Sequence, residues 1–225
     1  MRRRTVLMAL IGLVLMAALP AAGSPRVVLC NAMAADIVGT PSSDILYGNG
    51  GDNVIAGLGG ADQIYGAGGN DSICGGSGWD SLYGGGGVDY LSGGGERDLL
   101  NGGAGADLIY GGPGPDTLLA SAGDDVFDGQ AGIDLVVFEG IRHGVHLDLL
   151  GNVVYPLPGA GTAEFSSQSL FSVENVVGTD YADIIVGTEG PNRLDGAFGG
   201  DQLDGLGGDD VLLGGPGRDV AHGGE

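Results

Sequence analysis

The side chains with chemical potential in this sequence are carboxylates, and they come at a fixed interval. A side-chain oxygen recurs every ninth residue at Asp44, Asn53, Asp62, Asp71, Asp80, Asp89, Asp98, Asp107, Asp116, Asp125 and Asp134. The interval resumes further on with Asp183, Asn192, Asp201, Asp210 and Asp219. An isolated Asp pair can do acid–base work, whereas recurrence at this regularity argues for repeated ligation. Stacked carboxylates repel one another unless a cation sits between them, and a hard divalent ion held by carboxylates and turn carbonyls meets that need. Ca²⁺ suits a flexible all-oxygen cage better than Mg²⁺. The aspartates of the series are the candidate metal ligands; Asn53 and Asn192 are weak ones.

The elements that must position them follow from the rest of the unit. Written Gly-Gly-x-Gly-x-Asp-x-apolar-x, it repeats eleven times without insertion from Gly39 to Val137. Position eight is as regular as position six: Leu46, Ile55, Ile64, Ile73, Leu82, Leu91, Leu100, Ile109, Leu118, Phe127 and Val136. A merely Gly-rich disordered segment has no reason to keep an apolar residue and a carboxylate in phase. Gly-rich residues turn through conformations that a Cβ forbids, and the x-apolar-x triplet is a minimal strand with one side chain inward. Turn, strand, turn, strand closes one coil in 18 residues and predicts two parallel sheets around a column of Leu and Ile. Consecutive aspartates then lie on opposite edges, and residues 18 apart, such as Asp62 and Asp80, lie one above the other.

Units such as Gly75-Gly76-Ser77-Gly78-Trp79-Asp80-Ser81-Leu82-Tyr83 and Gly102-Gly103-Ala104-Gly105-Ala106-Asp107-Leu108-Ile109-Tyr110 resemble the hemolysin-type, repeats-in-toxin (RTX) calcium-binding nonapeptide. The resemblance implies an all-β fold, a right-handed parallel β-roll (β-solenoid) of nonapeptide repeats in two blocks. It also implies Ca²⁺ between turns on each edge, ligated by position-six carboxylates and turn carbonyls.

Met1 to Gly23 reads as a secretory signal: Arg2, Arg3 and Arg4, an apolar run from Val6 to Leu19, then Pro20-Ala21-Ala22-Gly23. Ala32-Met33-Ala34 is a later candidate cleavage site, and Leu29 before Cys30 disfavours lipid attachment. The chain has no Lys, and only five Arg follow Gly23 against 29 acidic residues, a net charge of −24 for the mature product. Nucleic acid and acidic membrane surfaces are poor partners for it. With 50 Gly to order and that self-repulsion, the ion-free chain is expected to be expanded and cation binding to drive folding. Cys74, at an outward position nine, is expected to be an unpaired surface thiol.

From Phe138 to Val177 the repeat stops, and such a spacer is similar to those that separate repeat blocks in the family. Val145 to Leu149 alternates as a half-buried strand, Ser169 to Val177 reads as another, and His143 and His146 are expected on a polar strand face rather than as ligands. The second block, 178–225, opens like the first, with Val177-Gly178-Thr179 echoing Val38-Gly39-Thr40; these opening units are expected to cap the core rather than bind ions. Pairs two units apart set a ceiling of nine sites in the first block and three in the second. Occupancy of about half to two thirds is expected, with affinities of about 10⁻⁴ to 10⁻³ M, as in extracellular modules. The chain ends at Gly223-Gly224-Glu225, within a unit it does not finish and without the export tail that type I secreted relatives carry. Either the leader replaces that route or the chain is a truncated product.

Tyr47, Tyr65 and Tyr83 share position nine of alternate units and so form one column on an outer sheet, either a stiffening ladder or a strip for a glycan or surface partner. No His-Glu-x-x-His, Gly-x-Ser-x-Gly or phosphate-loop motif is present, and the segments outside the repeats are too short for a catalytic domain. The reading is therefore a non-enzymatic, monomeric, secreted calcium-binding repeat protein. The alternative is an extracellular adhesion or assembly scaffold.

Overall fold

A computed structural model describes residues 27–138, 140–157 and 167–224, and every regular element among them is a strand. The expected leader, Met1 to Gly23, lies outside these residues. Apart from a two-stranded hairpin at the start, the strands among the described residues build two sheets, of nine and twelve members, and successive repeat strands alternate between them. Partners are 18 residues apart, as in Leu46↔Ile64↔Leu82 on one side and Ile55↔Ile73↔Leu91 on the other. The position-eight residues from Ile55 to Val136 are fully buried between the sheets, and Val176, Ile185, Leu194 and Leu203 continue the core. The molecule is a parallel β-solenoid.

The strands of the first block are longer than the expected triplet. Most run six residues, such as Gln63–Gly68 and Ser81–Gly86, because the backbones of positions two and three also pair with the next coil, as in Ala67↔Gly85 and Gly68↔Gly86. Those of the second block keep three, such as Ile184–Val186. Glycine is required where the coils come closest. At position four, Gly78 has φ +120°, and a Cβ there would run into the Gly60 carbonyl oxygen, a backbone atom that cannot yield.

Between the blocks the structure departs from a simple spacer. The segment expected as one strand from Ser169 to Val177 is two, Gln168–Phe171 and Asn175–Val177, one in each sheet, so it makes a further coil. In the nine-stranded sheet Asn175–Val177 joins Leu135–Val137 directly to Arg193–Asp195. In the other sheet an antiparallel hairpin, Val145–Asp148 and Val153–Pro156, stands between Gln168–Phe171 and Ile184–Val186. Two strand spacings, roughly 10 Å, are thereby added to one sheet only. Beside this insertion a pocket of about 160 Å³ is lined by Leu149, Asn152, Leu170, Ser172, Val173, Glu174 and Thr188.

Cys74 is not a free thiol. Strands Leu29–Cys30 and Met33–Ala34 pair as a short hairpin that lies against Val54–Gly59 and Ser72–Ser77, and Cys30, fully buried, is disulfide-bonded to Cys74. The spacing of the two cysteines carries no sign of this, because the contact depends on how the segment before the repeats folds back. Cys74→Ser is expected to release the hairpin and lower stability by about 2–3 kcal/mol, read from urea melts of the calcium-loaded protein with and without reductant.

Candidate calcium-binding turns

The 18-residue coil brings the position-six carboxylates into two columns, one along each edge. Within a column each aspartate spends one oxygen on the coil before it. The Asp62 N–H donates to Asp80 Oδ1 at 2.8 Å, Asp80 to Asp98 at 2.8 Å, and Asp98 to Asp116 at 2.8 Å. On the other edge Asp71, Asp89 and Asp107 form the same chain, ending at Asp125. In the second block the Asp183 N–H donates to Asp201 and the Asp201 N–H to Asp219. The bond fixes the carboxylate and closes the turn above it.

The second oxygen distinguishes the turns. Oδ2 of Asp62, Asp71, Asp80, Asp89, Asp98, Asp107, Asp116, Asp134, Asp201 and Asp210 is buried and has no hydrogen-bond partner. An unpartnered buried carboxylate oxygen is costly, and so many of them in register is an arrangement that a cation completes. The surroundings suit a hard ion: around Gly84, the Asp89 Oδ2 and the Gly102 carbonyl both crowd the place where a Cβ would stand. Gly84→Ala is expected to fill that space, cost about 1–3 kcal/mol and weaken Ca²⁺ binding, read by calorimetric titration against wild type.

The opening units, expected to cap the core, differ. Asp44 Oδ2 accepts from the Thr40 N–H at 2.6 Å and hydroxyl at 2.9 Å; Asp183 and Asn192 are held in the same way by Thr179 and Thr188. Asn53 accepts from the Asn49 N–H at 2.8 Å. At Thr40, Thr179 and Thr188 the position-two hydroxyl therefore supplies a donor that a glycine cannot.

Burial pushes the column carboxyls up, and facing carboxylates add to it. Asp80, Asp89 and Asp201 reach about 6, and Asp98, Asp125 and Asp134 about 7. Asp62, Asp71, Asp107, Asp116 and Asp183 are raised by the same desolvation.

Two members of the columns stand outside the uninterrupted repeat. Glu174 accepts from the Asp134 N–H at 2.9 Å, so it holds the position-six place in the coil between the blocks. It lies nine residues before Asp183 and two before the buried Val176, a phase that marks it once the insertion is passed over. Gln168 holds the equivalent place opposite, two before Leu170. His146 is exposed on its strand as expected, whereas His143 is buried in the bend before it rather than on a polar strand face. Among the described residues no three His, Cys, Asp or Glu side chains converge to hold a metal unaided, so other oxygens, turn carbonyls or water, must complete any ion's shell.

The RTX calcium-binding nonapeptide repeat matches residues 38–73, 75–109, 101–136, 177–212 and 204–225. The chain belongs to that family. As an RTX repeat protein it binds Ca²⁺, and the aspartate ladder fits multiple calcium sites. Comparison with curated protein sequences finds no match.

Proposed function

We infer that this RTX protein is secreted, and that Ca²⁺ met outside the cell binds between its turns and drives the solenoid to fold. The observation that carries the reading is the row of buried, unpartnered Oδ2 atoms along both edges, at Asp62, Asp71, Asp80, Asp89, Asp98, Asp107, Asp116, Asp134, Asp201 and Asp210. Asp44, Asp125 and Asp183 have that oxygen engaged by protein donors and are ranked below these as ligands. The Cys30–Cys74 disulfide supports export, since such bonds persist in oxidising compartments. It also favours signal cleavage near Gly23, because a cut after Ala34 would remove Cys30.

The adhesive-strip alternative draws less support. Tyr47, Tyr65 and Tyr83 do form one column, but with centroids 5.2 and 5.0 Å apart and planes within 11° and 6° the rings turn their faces to one another. A sugar stacks on an exposed ring face, so this geometry favours a ladder that stiffens the sheet. No catalysis is ascribed to the chain, whose carboxylates recur rather than converge. Expression with its own leader, followed by N-terminal sequencing of the product in the medium, tests the secretory part. A product beginning just after Gly23 supports it, and retention in the cell with Met1 in place contradicts it.

A further inference from the structure

Asp125 is the exception among the interior carboxylates of the first block. Its Oδ1 accepts from the Asp107 N–H at 2.9 Å, as in every other coil. Its Oδ2, however, accepts from Gln168 Nε2 at 3.2 Å and lies 3.4 Å from the Ser121 hydroxyl. The same Nε2 donates to the carbonyls of Ser121 at 3.0 Å and Gly123 at 3.3 Å. Three oxygens of one turn thus converge on a single nitrogen of a side chain that is 1% exposed. The amide orientation is fixed by this network, because the reverse would set Oε1 against three acceptors. Oε1 has no donor, so the nitrogen side alone holds the residue.

We propose that Gln168 is a built-in replacement for Ca²⁺, its amide taking the cation's place at the Asp125 turn and closing that turn without an ion. The proposal rests on the calcium reading above. A carboxylate and two turn carbonyls are the donor set a hard cation would use, and an N–H₂ group faces the same three oxygens as a neutral donor, its two hydrogens shared among them. Gln168 begins the strand that joins the inserted hairpin to the first block, so the turn closed without an ion is the one that anchors the insertion. On the opposite edge of this junction Asp134 Oδ2 remains unpartnered beneath Glu174, so ion dependence there differs from one edge to the other.

The test counts bound Ca²⁺ per chain on the folded monomer at ~10 mM Ca²⁺, well above the affinities of extracellular modules. Wild type is compared with Gln168→Ala, which vacates the position, and Gln168→Glu, which adds a charge to it. Both variants are expected to bind one ion more than wild type and to need a higher Ca²⁺ concentration for half-folding. An unchanged count in Gln168→Ala overturns the proposal, whatever Gln168→Glu does. A second readout needs no folded variant: in calcium-loaded wild type the Gln168 side-chain amide protons should be protected from solvent exchange by NMR. Free exchange would mean that an ion has displaced the amide, and the proposal would fall. A wild type that binds no Ca²⁺ at all would instead defeat the calcium reading itself.

Discussion

Stripped of calcium, the protein will fold at about pH 4 and unfold by about pH 7.5. Burial raises the column carboxyls above the ordinary 3.8, to about 6 at Asp80, Asp89 and Asp201 and about 7 at Asp98, Asp125 and Asp134. A group that holds its proton more tightly in the fold than in the unfolded chain stabilises the fold fully below its unfolded pKa. That contribution disappears as pH rises through the folded value, here between about 6 and 7. Protons and calcium are in this respect alternatives, since either removes the uncompensated charge on a buried Oδ2. The Ca²⁺ concentration needed for folding should therefore fall as pH falls through the same window, while the concentration needed to fill the sites rises, because the ion must displace protons. Thermal melts of decalcified protein across this range check the claim. Greater stability at the alkaline end would contradict it.

The second large effect concerns one column. Replacing Asp80, Asp98 and Asp116 together by Asn is expected to let the chain fold without calcium at neutral pH and to cost it about three bound ions. Each amide keeps the Oδ1 acceptor for the N–H of the preceding coil, which the structure places 2.8 Å away at Asp62, Asp80 and Asp98. Each also puts a neutral donor where a buried charge had no partner, an improvement of about 1–3 kcal/mol per site in the ion-free state. The columns already accept an amide at Asn192, there turned the other way, with Oδ1 accepting from the Thr188 N–H at 2.7 Å and Nδ2 donating to the Glu174 carbonyl at 2.8 Å. Calorimetric counting of ions and circular dichroism of the decalcified variant provide the readout. A triple variant that stays unfolded without calcium and binds the full complement would refute the argument.

The period of nine makes the two columns and the buried core legible in the sequence, since Asp and the apolar residue keep phase from Asp44 to Val136. What the sequence hides has physical causes. The expected triplet strands grow to six residues because the turn backbones pair with their own copies 18 residues on, a gain that a single unit does not reveal. The Cys30–Cys74 bond depends on a hairpin that packs across the outside of the solenoid, and no periodicity encodes it. Gln168 and Glu174 stand only six residues apart, so the coil between the blocks has a shortened turn and no run of glycines to announce it. The division of aspartates into those with an orphan oxygen and those without is legible only in part. Thr40, Thr179 and Thr188 are visible at position two, but the amide that satisfies Asp125 comes from 43 residues further along.

The most direct test of the account is a Ca²⁺ titration of the decalcified mature protein at neutral pH, followed by far-UV circular dichroism, with Mg²⁺ as control. A cooperative gain of β signal is expected between about 10⁻⁴ and 10⁻³ M Ca²⁺ and none with Mg²⁺. A chain already folded without either ion, or one that responds to neither, would contradict it.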